Sequence, residues 1–279
     1  MLQQCIKVVL IRVGLTTSLL LMTPSVLSAP KKVLLPEWEG SDESSIQVVD
    51  HRGWQRILND YLLVEGQQNY FNYAAAKDDS ALGLDQYIES LAQINPLFLS
   101  RKEQQAYWIN LYNSATVQLL LQHYPTVSIT KIGRGLFSFG PWNDDILTVN
   151  QTALSLNDIE HGILRPIYAD PRIHYAVNCA SLSCPNLMLT AFTADNAEQL
   201  LEQAASDYIN HPRGVMVENG QLVLSSLYDW FQEDFGGNEV GVFTHLKAYA
   251  KPELLQKIKT LENQRPRYTY DWGLNQKKS

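Results

Sequence analysis

Cysteine is scarce in this chain: three residues in 279, at positions 5, 179 and 184. That excludes a disulfide-dense scaffold. With no second cysteine pair, the chain also lacks a four-cysteine zinc framework. Basic residues are outnumbered, 22 against 29 acidic. The deficit speaks against nucleic acid or an anionic membrane surface as a partner, since both demand basic patches. No glycine-rich phosphate loop, dinucleotide fingerprint or Gly-x-Ser-x-Gly elbow occurs. Internal repeats and low-complexity tracts are absent.

Aromatic residues, by contrast, are plentiful, with 14 Tyr and 6 Trp. Their first meaning is a well-packed core with some polar handles, and their second a lined cleft. The N-terminus has the layout of an export signal. Lys7 and Arg12 precede a short apolar run, Val13 to Met22, which is too short to span a bilayer comfortably. Pro24 breaks the run, and Val26 and Ser28 suit cleavage after Ser28. The expected division is a signal peptide over 1–28, a loose lead-in over 29–50, one domain over 51–275 and a polar tail over 276–279. Removing Lys7 and Arg12 leaves 20 basic against 29 acidic residues, a net charge of −9. The location this implies is periplasmic or secreted, with an envelope or extracellular ligand, no nucleic acid and no integral membrane domain once the signal is gone.

Trp54, Ile57, Leu58, Tyr61 and Leu62 share one helical face, and a second helix is predicted over 84–94. Ser100 and Glu103 form a capping-box pattern ahead of Gln104–His123, which Pro125 follows. That helix is apolar nearly all round, so it is expected to be central and buried, with Asn110, Asn113 and Thr116 meeting a polar site. Hairpins are predicted around Asn150-Gln151 and Asn219-Gly220. A short helix is expected over NDIEHGILR, a strand over RIHYAVNC, and a helix from Thr193 or Asp195 to Tyr208. Further helices are expected near 227–234, 240–250 and 252–261, and a last strand in YTYDWGLN. Asp229, Glu233 and Asp234 read as a solvated helix face. Without a regular βαβ rhythm the fold class is α+β: a central buried helix packed on a small, mostly antiparallel sheet.

Taken in order, AYWINLYNSATVQLLL, the Trp142 region, LSLNDIEHGILR, HYAVNCASLSCPNL and YDWGLN resemble the domain-of-unknown-function family 547, from about Gln104 to Asn275. The resemblance implies no settled reaction and no cofactor. Its landmarks fall here on Asn113, Glu160, His161, Arg165, His174, Asn178, Cys179, Ser183, Cys184 and Pro185. Tyr175 and Asn186 depart mildly from the family's usual Phe and Pro.

Three readings of the two late cysteines stay open. In an oxidising compartment Cys179 and Cys184 can form a disulfide clip. Alternatively Cys179 is a thiol nucleophile, with His161 as base and His174 behind it. In that reading Glu160 or Asn178 orients the ring, and the amides of the ASLS turn with Ser181 or Ser183 hold an oxyanion. A zinc site with His161 or His174 is the third, disfavoured by the cysteine spacing. The leading functional expectation is a thiol-dependent hydrolase or transferase built on Cys179, His161, Glu160 and Asn178, with Asn113, Arg165, His174 and Ser183 in support. Opposing it is a non-catalytic binding or scaffold domain with a structural disulfide.

Overall fold

In a computed structural model, which describes residues 30–79, 81–133 and 140–277, the central helix lies where its apolar girth requires. Helix α4 (Arg101–Gln122) follows α1 (Arg52–Tyr61), α2 (Tyr73–Asp79) and α3 (Ala81–Ala92) and packs against α2 and α3. Its residues from Ala106 to Val117 are all buried. Ser100 caps it by accepting the Glu103 amide. The capping box stays half-made, however: the Glu103 carboxylate instead accepts the amide of Val49 at 2.6 Å. A helix buried on every side needs neighbours on every side, and Trp38 supplies one, its ring edge-on to Trp108.

The strands divide among three small sheets. Strands β1 (Leu62–Glu65) and β2 (Gln68–Phe71) form a hairpin that periodicity alone did not mark. The predicted pair β3 (Leu147–Val149) and β4 (Thr152–Leu154) turns through Asn150 and Gln151, both at positive φ. Strands β5 (Val215–Glu218) and β6 (Gln221–Ser225) turn through Asn219 and Gly220, again both at positive φ. The right-handed strand twist asks for that turn. Strand β7 (Arg267–Thr269) then joins β6 in parallel. One continuous core runs from Trp38 to Leu274, so the chain is a single mixed α+β domain. Among the described residues no helix is long and apolar enough to cross a membrane.

Two expectations change. RIHYAVNC is not a strand: Ile173–Ala176 is a helical turn, α6, opened by Pro171 and by Asp170, which accepts the Arg172 amide at 2.8 Å. A short apolar run looks alike in a buried strand and a buried turn, and here the Asp-Pro start decides. NDIEHGILR does coil, but Asp158–Leu164 is a π-helix that runs on into α5 (Arg165–Tyr168).

Residues 30–50 hold only one 3-10 turn, Pro36–Trp38, yet they are tied to the domain. Pro166 lacks an N–H and removes one donor from this stretch, so carbonyls of the last π-helical turn take donors from outside the helix. The amides of Val33 and Leu35 supply them, to His161 O at 3.1 Å and Gly162 O at 2.9 Å. A Cβ at Gly162 would come within 2.7 Å of Leu35, so glycine there allows the strap its approach.

Candidate functional site

The loop that carries the cysteines is held from three sides. From α4, Asn113 donates to Ala176 O at 2.9 Å and accepts the Asn178 amide at 2.8 Å. Asn110 does the same for Phe192, through both its carbonyl and its amide. The polar partners foreseen for these helix amides are therefore main-chain groups. From the C-terminal segment, Asp271 O and Gly273 O accept the amides of Ser183 and Leu182, and Ser181 bridges to Leu274. Arg213, following α7 (Ala197–Ile209), donates to Cys184 O and Asn186 Oδ1, each at 2.8 Å.

Cys179 and Cys184 are joined by a disulfide, with Cα atoms 6.1 Å apart. The turn between them passes through Ala180 at φ +60°, a strained value for a residue with a Cβ. Asn178 steadies it, accepting the Ala180 amide and donating to Pro185 O. Thus the Asn178 side chain braces its own loop. Cys184 is buried and Cys179 only half-buried. The Tyr270 hydroxyl stands over the bridge, 3.2 Å from Cys179 Sγ, 3.4 Å from Cys184 Sγ and 3.0 Å from Ser181 Oγ. Burial raises that phenol well above its ordinary range. Of the ASLS amides expected to receive an oxyanion, those of Ala180, Leu182 and Ser183 are engaged within the fold, each donating to a protein acceptor. Ser183 Oγ accepts the Asp271 amide at 2.8 Å.

Glu160, His161, Arg165 and His174 lie together around a partner that the sequence reading misplaced. Asp234, read as part of a solvated face, has a largely buried side chain. It accepts from Arg165 Nε at 2.6 Å, from His174 Nε2 at 2.8 Å and from Lys32 Nζ at 2.8 Å. Glu233 takes Arg165 Nη2 at 2.7 Å. Arg165 Nη1 donates to Pro30 O and to His161 Nδ1, at 3.1 and 3.0 Å. Guanidinium has no acceptor, so His161 Nδ1 is the acceptor and its ring proton sits on Nε2. Burial pushes this histidine down to about 4, which leaves it neutral at pH 7. Its 3.8 Å approach to Glu160 is therefore not an ion pair.

Glu160 Oε1 lies 3.7 Å from His174 Nδ1. Burial works to raise this carboxyl, but the charge that His161 takes up once the pH falls to about 4, the hydrogen bond to His174 and the Arg165 guanidinium outweigh it and hold the group at about 2. The same opposition keeps Asp234 well below the carboxylate range, against burial, through His174, Lys32 and Arg165. Phe231 covers the cluster, its ring stacked on His174 at 4.3 Å and 4.8 Å from the Arg165 guanidinium. Tyr112 of α4 is buried, its phenol raised by burial, by the nearby Glu160 carboxylate and by Tyr270. Among the described residues no hydrogen bond links His161 to Cys179, and no group of three or more His, Cys, Asp or Glu side chains is arranged to hold a metal.

The signals for Asp234 and Tyr270 were faint. One sat in a charged stretch that looked solvated, and the other in a terminal segment read for its strand alternation. No curated protein and no solved structure matches the chain. Residues 96–209, the stretch that holds α4, the π-helix and both late cysteines, match the family described as Protein of unknown function, DUF547.

Proposed function

We propose that this is an exported, non-catalytic binding domain in which Cys179–Cys184 is a structural clip. The observation that carries the reading is the disulfide itself, closed within a loop in which the amides of Ala180, Leu182, Ser183 and Cys184 already have protein acceptors. A disulfide persists in an oxidising compartment, which supports a periplasmic or secreted location. The neighbouring ion cluster supports the same reading, because its charges are paired with one another and sealed by the strap and Phe231. Buried charges so matched hold a fold together without needing a substrate.

The test is a thiol count on the exported protein, alkylated while denatured, with and without prior reductant, and weighed. Labelling of both cysteines only after reduction is expected. Labelling of both at once overturns the clip.

A second reading is favoured by one observation: Cys179 is the more open sulfur and has the hydroxyls of Tyr270 and Ser181 against it. In that reading, reduction frees Cys179 as the nucleophile of a thiol-dependent hydrolase or transferase. His161 moves the proton, Glu160 or Asn178 orients it, and Asn113, Arg165, His174 and Ser183 support the site. It requires reduced protein to alkylate at Cys179, near pH 7, faster than a model thiol. An ordinary rate removes it.

A further inference from the structure

The hairpin of β5 and β6 leaves one edge of its sheet open. Its two-residue turn makes Glu218 and Gln221 the closing pair, so the ladder to β6 uses Glu218 and Met216. Val217 N–H and C=O, and Val215 C=O, then point away from β6. None of the three has a hydrogen-bond partner among the described residues. The Val215 amide alone on that side is used, donating to His211 O at 3.1 Å. Natural edges are blunted by charges, prolines or bulges. Here the middle of the edge is Val215, Met216 and Val217, and Val217 is 36% exposed.

A groove runs along this edge. A cavity of about 330 Å³ is lined by all three of those residues in succession. Successive strand side chains point to opposite faces, so a cavity that touches three in a row follows the backbone edge. Its far wall is the start of the helix Pro252–Leu261, with Leu254 and, just before the helix, Lys251. Lys257 is neutralised by Glu253 at 2.6 Å, whereas the Lys251 ammonium has no partner among the described residues. A second cavity of about 360 Å³ shares Gln67, Asn210 and Lys251 with the first, so the groove continues past the β1–β2 turn to the exposed Leu189.

We propose that this groove binds an extended peptide segment of a partner protein, added antiparallel to β5 as a further strand, with an acidic side chain on Lys251. Alternating unpaired N–H and C=O groups on a strand edge are complementary to one chemistry, another extended backbone. The unpaired cation, in a chain of net charge −7, selects an acid among such peptides. Leu254 and Met216 offer apolar contact to the side chains that flank it.

The inference rests on the binding-domain reading and names its partner class. Its probe is a phage-displayed random peptide library panned on the oxidised full chain, with enriched peptides synthesised and titrated by fluorescence anisotropy. Val217→Pro removes an outward N–H and leaves the ladder to β6 intact, so the variant keeps its fold. Enriched peptides are expected to carry an acid and to lose about tenfold or more in affinity on Val217→Pro, from the lost hydrogen bond and the blocked edge. N-methylation at alternate peptide residues should cost as much, and Lys251→Glu a smaller loss of about threefold to tenfold. Failure to enrich any peptide overturns the proposal, as does binding to Val217→Pro within about twofold of the parent affinity. The thiol count is separate: free thiols would overturn the clip while leaving a peptide groove standing, and a failed panning would leave the clip standing.

Discussion

The side-chain oxygen of Asn113 accepts the backbone N–H of Asn178 at 2.8 Å, so the central helix holds the residue next to Cys179 in place. Both ends of that bond are buried, and the Asn113 amide is occupied by Ala176 O. Asn113→Ala strands a buried N–H and a buried C=O together. The expected cost is about 2–3 kcal/mol of stability, measured by urea unfolding. A loss within about 0.5 kcal/mol would mean that water replaces the side chain and that the loop is not held from α4.

The disulfide closes a loop between cysteines five positions apart. Replacing both cysteines by serine is expected to cost roughly 2 kcal/mol on the chain-entropy estimate. Because the loop is also anchored by Arg213 and by the 271–275 segment, the variant should still fold cooperatively. A double variant as stable as the parent would remove the clip from the list of structural supports.

Arg165 is buried and depends on Asp234 for its shortest ion pair, 2.6 Å. Asp234→Ala leaves that guanidinium and the His174 ring without their shared carboxylate. A loss of about 3 kcal/mol or more is expected, the range for breaking a buried pair from one side. Should the variant unfold at the parent midpoint, Glu233 alone would suffice to hold Arg165.

Acid should weaken the fold in two stages. Burial lowers His161 to about 4 from its ordinary 6.5, so the unfolded chain binds the proton more readily. The stabilisation from a neutral His161 is complete above pH 6.5 and is lost as pH falls towards 4, with about 2 kcal/mol gone by pH 5. His51 and His245, also lowered to about 4 by burial, act in the same window. Glu160 works lower down: held at about 2, it contributes above its ordinary 4.5 and loses that contribution as pH falls through 2. Urea midpoints measured from pH 8 to pH 4 should therefore hold level and then fall below about 6.5. A midpoint that stays flat down to pH 4.5 would show that these histidines are protonated in the folded chain.

Much of this architecture could be read in the sequence because the cause was local. The all-round apolar α4, the Asn219-Gly220 turn and the Ser100 cap each depend on residues within a few positions of one another. What escaped is what only folding creates. Asp234 looked solvated because its neighbours in sequence are polar, whereas its neighbours in space, His174 and Arg165, lie 60 and 69 residues away. The same holds for Tyr270, 91 residues from the cysteine it covers. For His161 the Nδ1 atom faces Arg165 and not a thiol, and four-residue helical spacing does not say which way a ring is turned.

The strap at residues 30–35 has a late duty in folding. Pro30 meets Arg165 across 135 positions, so the earliest part of this stretch to be synthesised has to wait for a helix made much later. Until then the carbonyls beside Pro166 and the Arg165 charge stay open to water. A fusion joined just ahead of Pro30 would therefore crowd the ion cluster at the moment it closes, whereas one joined after Lys277 would not. For anyone producing this protein, the end that carries the handle is part of the folding problem.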